Sequence, residues 1–214
     1  MIDIRNIRIY HIVHVDRLFG ICADMAIFCD AVAQQKQLCG TNIGMSDIKA
    51  RRRTKSLHSY PNLHVGECTP FYFCPRSIML YVIHQKNNPG LTYTGGQSSI
   101  VHIVANLYEV IQKVETEQRR WVFTDRNAAA TYAQDYNSLP DLSKLHWEHI
   151  EANIWNNPEV REYKQAEFLI ELLFPFELTQ EIAVYDDEHK IEVQKILQYY
   201  NIPIPVNVRK NWYY

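Results

Sequence analysis

An excess of charge of either sign is what this 214-residue chain most clearly lacks: 22 Lys and Arg against 24 Asp and Glu leave a formal net charge of −2. No global field therefore draws it to a polyanion, and any such attraction must come from a local cluster. Glycine is scarce, with seven residues, which excludes collagen-like and glycine-rich disordered chains. No apolar run reaches the roughly 18 residues of a membrane helix, and Met1 is not followed by a charged and then apolar leader, so the expected setting is the cytoplasm with no membrane partner. The five cysteines are odd in number and include no CxxC pair, which predicts reduced thiols and no disulfide framework. No metal is expected either, because His146-Trp147-Glu148-His149 lacks the order that places two imidazoles on one helical turn around a glutamate.

What is present suits one domain over residues 1–214: 47% hydrophobic residues, 21% charged residues and a surplus of 14 Tyr, in a chain long enough to bury about 70% of its unfolded surface. The stretch Lys164-Gln165-Ala166-Glu167-Phe168-Leu169-Ile170 alternates with a period of two and reads as a half-buried strand with Gln165 and Glu167 on one face. A carboxylate held by a strand is rigidly aimed, as a group facing developing positive charge must be. The bland reading is a surface Glu on an edge strand.

In chain order, Ile7–Val15 predicts a first strand carrying His11 and His14. Asp16 predicts a helix cap over Arg17–Asp30, with Leu18, Ile21, Cys22, Met25 and Cys29 forming a core stripe. A polar loop from Gln34 to Gly44 precedes a helix opened by Ser46 or Asp47. Into that helix falls Lys49-Ala50-Arg51-Arg52-Arg53-Thr54-Lys55, the one dense basic cluster. Consecutive helical residues point in different directions, so at least one of these charges must face inward or across the cleft. The rest form a solvated face or a phosphate clamp. From Pro70 to His84 the sequence reads as an aromatic strand broken by Pro75-Arg76, joined by a turn-rich loop to a second strand, Ser99–Val104. A short strand at Trp121–Phe123, a helix over Asn127–Tyr132, helical pieces between Leu139 and Trp155, and a terminal strand, helix and strand complete an α+β pattern on an antiparallel or split sheet.

Taken together, Tyr10–Asp16, Ile48–Arg52, Pro70–Ser77, Gly95-Gly96-Gln97, Phe123–Asn127, Lys164–Phe168 and Trp212-Tyr213-Tyr214 resemble, in register and in order, the DarT family of DNA ADP-ribosyltransferase toxins. The resemblance implies an ADP-ribosyltransferase-like split, curved β-sheet with surrounding helices. It also implies NAD as substrate, a thymidine base in single-stranded DNA as acceptor, and a cognate antitoxin of the macrodomain ADP-ribosyl hydrolase type. On the matching positions, His11 and Val13 fall where the family contacts NAD, Arg52 where it has its catalytic arginine, and Glu167 where it has its catalytic glutamate. Tyr72, Arg76 and Met79 fall in a strand lining the same cleft. Val13 and Ile78 depart from the family's common Thr and Pro, and the first change removes a hydroxyl from the implied dinucleotide contact.

Breaking the bond between nicotinamide and ribose leaves an oxocarbenium-like cation, which a preorganised Glu167 carboxylate would stabilise. Gln165 is placed to orient the acceptor base. Arg52 serves either the base carbonyl or the NAD phosphates. A basic track for DNA would draw on Arg51, Arg53, Lys55, Arg119 and Arg120, with His146, Trp147 and Trp155 as stacking surfaces ahead of the Glu167 strand. For the two tryptophans, the competing reading is that they pin helices to the sheet. Rival functions are transfer to guanine, RNA or protein, a catalytically dead binding module, and a metal-dependent nuclease. The nuclease would have to use Glu167 and Glu171, set about 13 Å apart along a strand.

Overall fold

The computed structural model describes residues 3–214. The first strand, β1 (Arg8–His14), lies where its β-branched and aromatic residues place it, and a short turn leads to α1 (Leu18–Asp24). Met25 then takes a left-handed conformation at φ 49° and ends that helix. Residues expected to continue it instead form β2 (Ala26–Phe28) and α2 (Asp30–Gln35). The anticipated Arg17–Asp30 helix is thus divided. Leu18, Ile21, Cys22 and Cys29 are buried as expected, whereas Met25 is exposed.

The basic helix α3 (Ser46–Thr54) forms, and β3 (Cys68–Tyr72) follows it. The strand does not continue to His84. Pro75 offers no N–H to a ladder, and the Ser77 hydroxyl caps α4 (Ile78–Gln85) by accepting from Leu80 N–H at 3.2 Å. Met79 therefore sits on a helix. The next elements are β4 (Ile100–Asn106), α5 (Leu107–Thr116) and β5 (Trp121–Thr124). No helix forms over Asn127–Tyr132, because Asp125 and Gln134 bond to each other and close the segment into turns, leading to β6 (Asp135–Tyr136). Two short helices, α6 (Trp147–Glu151) and α7 (Pro158–Tyr163), precede β7 (Glu167–Glu171). The chain continues through β8 (Leu173–Pro175), β9 (Thr179–Val184), α8 (Asp187–Tyr199) and β10 (Val206–Val208).

Eight strands form one sheet in the order β10-β9-β4-β1-β3-β7-β5-β6, antiparallel except for β10 against β9. A second, two-stranded sheet joins β2 to β8 and explains why α1 is cut short. β3 and β4 do not pair with each other; they flank β1 on opposite sides. Between β1 and β3 only Tyr10 and Tyr72 are matched, so the large sheet divides there into two halves. This is the split α+β sheet expected from the sequence. β7 lies between β3 and β5, and its residues Glu167 to Ile170 are all buried, so both of its faces are covered and it is not the half-buried strand that simple alternation suggested. Gln165 falls before β7 begins, in the turn after α7, where its amide donates to the Arg161 carbonyl.

The two halves are also held by a buried histidine. His102 on β4 is fully buried, with Nε2 2.9 Å from the Pro75 carbonyl and Nδ1 3.2 Å from the Tyr213 hydroxyl. Burial drives its pKa down from the ordinary 6.5 to about 4. Between these values the unfolded chain binds a proton that the folded chain does not, so this contribution is complete above pH 6.5 and is lost as pH falls toward 4. The expected loss is about 3 kcal/mol over that window, since each pKa unit corresponds to about 1.4 kcal/mol. Urea unfolding at a series of pH values should show this slope in the wild type, and His102→Gln should flatten it.

Candidate active site

Where the sheet divides, a cleft of about 550 Å³ opens, lined by His11 and Val13 from β1, Pro70 and Tyr72 from β3, Met79 from α4, and the loop Leu38–Gly44. His11 is held across the split by a 2.7 Å contact between Nδ1 and the Pro70 carbonyl. Burial lowers its pKa, and that carbonyl contact only partly opposes the shift. The imidazole is therefore neutral near pH 7. The loop over the cleft is clasped to the end of β1: the Asp16 carboxylate accepts from the Thr41 hydroxyl at 2.6 Å and from its N–H at 3.1 Å, while Arg17 donates to the Thr41 and Gly40 carbonyls. Lys49 pairs with Asp30 at 2.7 Å on the cleft wall.

Beside Tyr72 lies a closed ion pair. Glu167, the first residue of β7, is the register partner of Tyr72, the last residue of β3. Its two oxygens accept from the same Arg52 Nη1 at 3.0 and 2.8 Å, and Oε1 also accepts from the Ala128 N–H at 2.9 Å. Glu167 is 1% exposed and Arg52 8%. Of the charges packed into α3, Arg52 is the one that faces inward, as the helical geometry required. Burial by itself would lower the Arg52 pKa, but the adjacent Glu167 carboxylate reverses that and raises it, so the guanidinium stays charged. The Tyr72 phenol is pushed well above its ordinary range, first by burial and then by Glu167.

The segment expected to be helical after β5 proves to be the mount for this carboxylate. Thr124 Oγ1 accepts from the Glu167 N–H at 3.2 Å and donates to the Arg126 carbonyl at 2.6 Å, the Asn127 side chain holds the Ala129 N–H, and the Lys55 ammonium donates to the Ala130 carbonyl. Lys55 is thus committed to this turn, with its pKa lowered by burial, and is not a free member of a basic track.

The other candidates divide further. Arg51 is exposed, and Arg53 donates to Gln34 at 3.1 Å. Arg119 is bonded to the Glu171 and Leu173 carbonyls and Arg120 is paired with Glu171 at 2.6 Å, so both are structural clamps at the far end of β7 and leave the track. The same contacts separate Glu167 from Glu171, each neutralised by its own arginine, which removes the pair a nuclease would need. His146 stacks on Tyr163 with centroids 3.8 Å apart. Trp147 donates to the Leu142 carbonyl and packs against Phe73, pinning α6 to the core. Trp155 stands edge-on to Tyr81 and Tyr214. Arg76 does not line the cleft; its guanidinium lies 4.4 Å from the centre of the Tyr214 ring.

The cleft has the size and donors for a dinucleotide. Arg52 keeps Nη2 buried and without a partner, an open donor beside a preformed anion. This geometry belongs to the class of ADP-ribosyltransferase folds, and comparison with known proteins narrows it. A family model described as "DarT: ssDNA thymidine ADP-ribosyltransferase, DarT" matches residues 10–214. A DNA ADP-ribosyl transferase of Thermus sp. (strain 2.9) is 40% identical over 210 residues, covering 96% of this chain and 95% of that one. The structure of Thermus sp. 2.9 DarT in complex with ADP-ribosylated ssDNA superposes with a TM-score of 0.87 at 37% identity, covering 97% of this chain and 96% of that one. The same Thermus protein in complex with NAD+ gives 0.84 at 36% identity, over 97% of this chain and 98% of that one. The chain belongs to the DarT family, and its fold is the DarT ADP-ribosyltransferase fold.

Proposed function

We propose that this protein transfers ADP-ribose from NAD to a thymidine base in single-stranded DNA, releasing nicotinamide, and that residues 1–214 do so as one domain. The observation that carries the reading is the Arg52–Glu167 pair, closed, buried and braced by the Ala128 N–H beside the split-sheet cleft. The family model is named for this activity, and the Thermus structures carry NAD+ in one case and ADP-ribosylated ssDNA in the other.

In this mechanism His11, Val13, Tyr72 and Met79 hold the dinucleotide in the cleft. Glu167 faces the ribose carbon as positive charge develops, and a fixed anion in a water-poor site stabilises that charge without reorganising. Arg52 holds Glu167 with Nη1 and offers Nη2 to substrate. Gln165, Arg51, Arg53, His146 and Trp155 lie on the acceptor side, where a base already free of a duplex is presented without the cost of flipping. Among the described residues no helix is long and apolar enough to cross a membrane, and the reading places the enzyme in the cytoplasm. Family membership supports a toxin role opposed by a macrodomain-type ADP-ribosyl hydrolase.

The test is mass spectrometry of single-stranded oligonucleotides incubated with protein and NAD. An adduct of ADP-ribose mass on a thymine-containing strand, absent from a matched strand without thymine, is the expected result. An adduct on guanine, RNA or protein alone would overturn the acceptor, and strand scission without NAD would overturn the reaction class.

A further inference from the structure

Most buried or half-buried cations near the site face a carboxylate: Arg52 meets Glu167, Arg120 meets Glu171, and Arg126 meets Asp125 and Glu162. Two do not. Lys164 is 2% exposed and donates to the Ile150 carbonyl at 2.8 Å, with the Cys74 sulfur at 3.5 Å and the Trp155 ring at 5.2 Å. Arg76 is half-buried over Tyr214, 5.9 Å from the Trp155 ring, with one long contact of 3.5 Å from Nη1 to Asn153 and its Nε buried without any partner. Neither cation has an ion-pair partner among the described residues. Both face the same indole, so positive charge gathers around Trp155 without a direct ion-pair partner among the described residues.

Leaving a buried guanidinium donor and a buried ammonium uncompensated is costly, and a chain that keeps both invites an anion from outside. The position selects which one. Arg76 follows Tyr72 by four residues, Lys164 precedes Glu167 by three, and Tyr72 and Glu167 are register partners. Each cation thus follows or precedes the reacting end of the site by a few residues along the chain, while Arg76 stays out of the dinucleotide cleft. A guanidinium fork beside aromatic edges suits a phosphodiester with an adjoining base.

Resting on the acceptor assignment above, we propose that Arg76, seated between Trp155 and Tyr214, binds a backbone phosphate of the acceptor strand. Lys164 is a positioning residue in this arrangement: it ties α6 and Trp155 to the turn that carries Arg76 and adds to its field without touching the strand.

The experiment is anisotropy binding of a thymine-containing single-stranded oligonucleotide over a range of salt concentrations, for wild type, Arg76→Gln and Arg76→Lys. Arg76→Gln is expected to weaken binding about tenfold and to lower the slope of log K against log salt by about 0.7, the signature of one lost phosphate contact on a single strand. Arg76→Lys keeps the charge and should recover the slope and most of the affinity, which a purely structural role would not predict. An Arg76→Gln protein that binds like wild type overturns the phosphate site alone. So does weaker binding with an unchanged slope, or a loss confined to NAD affinity. A wild-type protein that does not bind the oligonucleotide overturns both this site and the acceptor assignment.

Discussion

Glu167→Gln is expected to fold and to lose at least about a hundredfold in transfer rate, the scale set by removing one preorganised electrostatic group from a dry site. The substitution keeps shape and leaves an oxygen for the Arg52 Nη1 and for the Ala128 N–H, which lie 2.8 to 3.0 Å from the native carboxylate. What it removes is the negative charge. At 1% exposure no water can replace that charge as the bond to nicotinamide lengthens. The check is initial rates of ADP-ribose transfer onto a thymine-containing oligonucleotide, alongside thermal melting to confirm the fold. Residual activity within threefold of wild type would remove Glu167 from the chemistry. Because the effect acts on a transition state, kcat should carry it, with NAD affinity little changed.

The elements that position this carboxylate were unequally visible in the sequence. β1 declared itself through β-branched and aromatic residues, β7 through its alternation, and α3 through the Ser46 and Asp47 that open it, although Met45 holds the N-cap position and neither side chain caps the helix. That one of several adjacent cations must turn inward followed from helical geometry, and Arg52 does so. Local periodicity could not show that β7 would be covered on both faces, because that depends on β3 and β5 arriving from distant parts of the chain. It also failed at Ile78–Gln85, where an apolar run with helical capping reads equally well as a strand. Length and the Ser77 cap were the available signals. The Asn127–Tyr132 error has a more specific cause. Its alanines favour helix, but Asp125 closes the segment onto Gln134 and the Ala128 N–H is claimed by Glu167. Tertiary demand at a functional site overrode local propensity. Lys164 stood inside the motif centred on Glu167, yet only the fold shows that it is buried beside Trp155.

Arg52 separates structure from chemistry more sharply than Glu167, because one of its nitrogens serves each. Nη1 contacts both carboxylate oxygens, while Nη2 is buried with no partner. Arg52→Met should be the most destabilising single change at the site. It strands a carboxylate that is 1% exposed, and breaking a buried pair from one side costs about 3–5 kcal/mol. Adding Glu167→Leu removes the stranded charge, so the double variant should recover most of that stability while remaining inactive, a coupling readable from urea midpoints. Arg52→Lys makes the complementary separation. A single ammonium can replace Nη1 against Glu167 and hold stability to within roughly 1 kcal/mol of wild type, but it cannot supply the second arm of the fork. If Nη2 is the donor that meets substrate, Arg52→Lys melts near the wild-type temperature and still loses about a hundredfold in transfer. Wild-type rates in Arg52→Lys would mean that the arginine does no more than hold Glu167 in place.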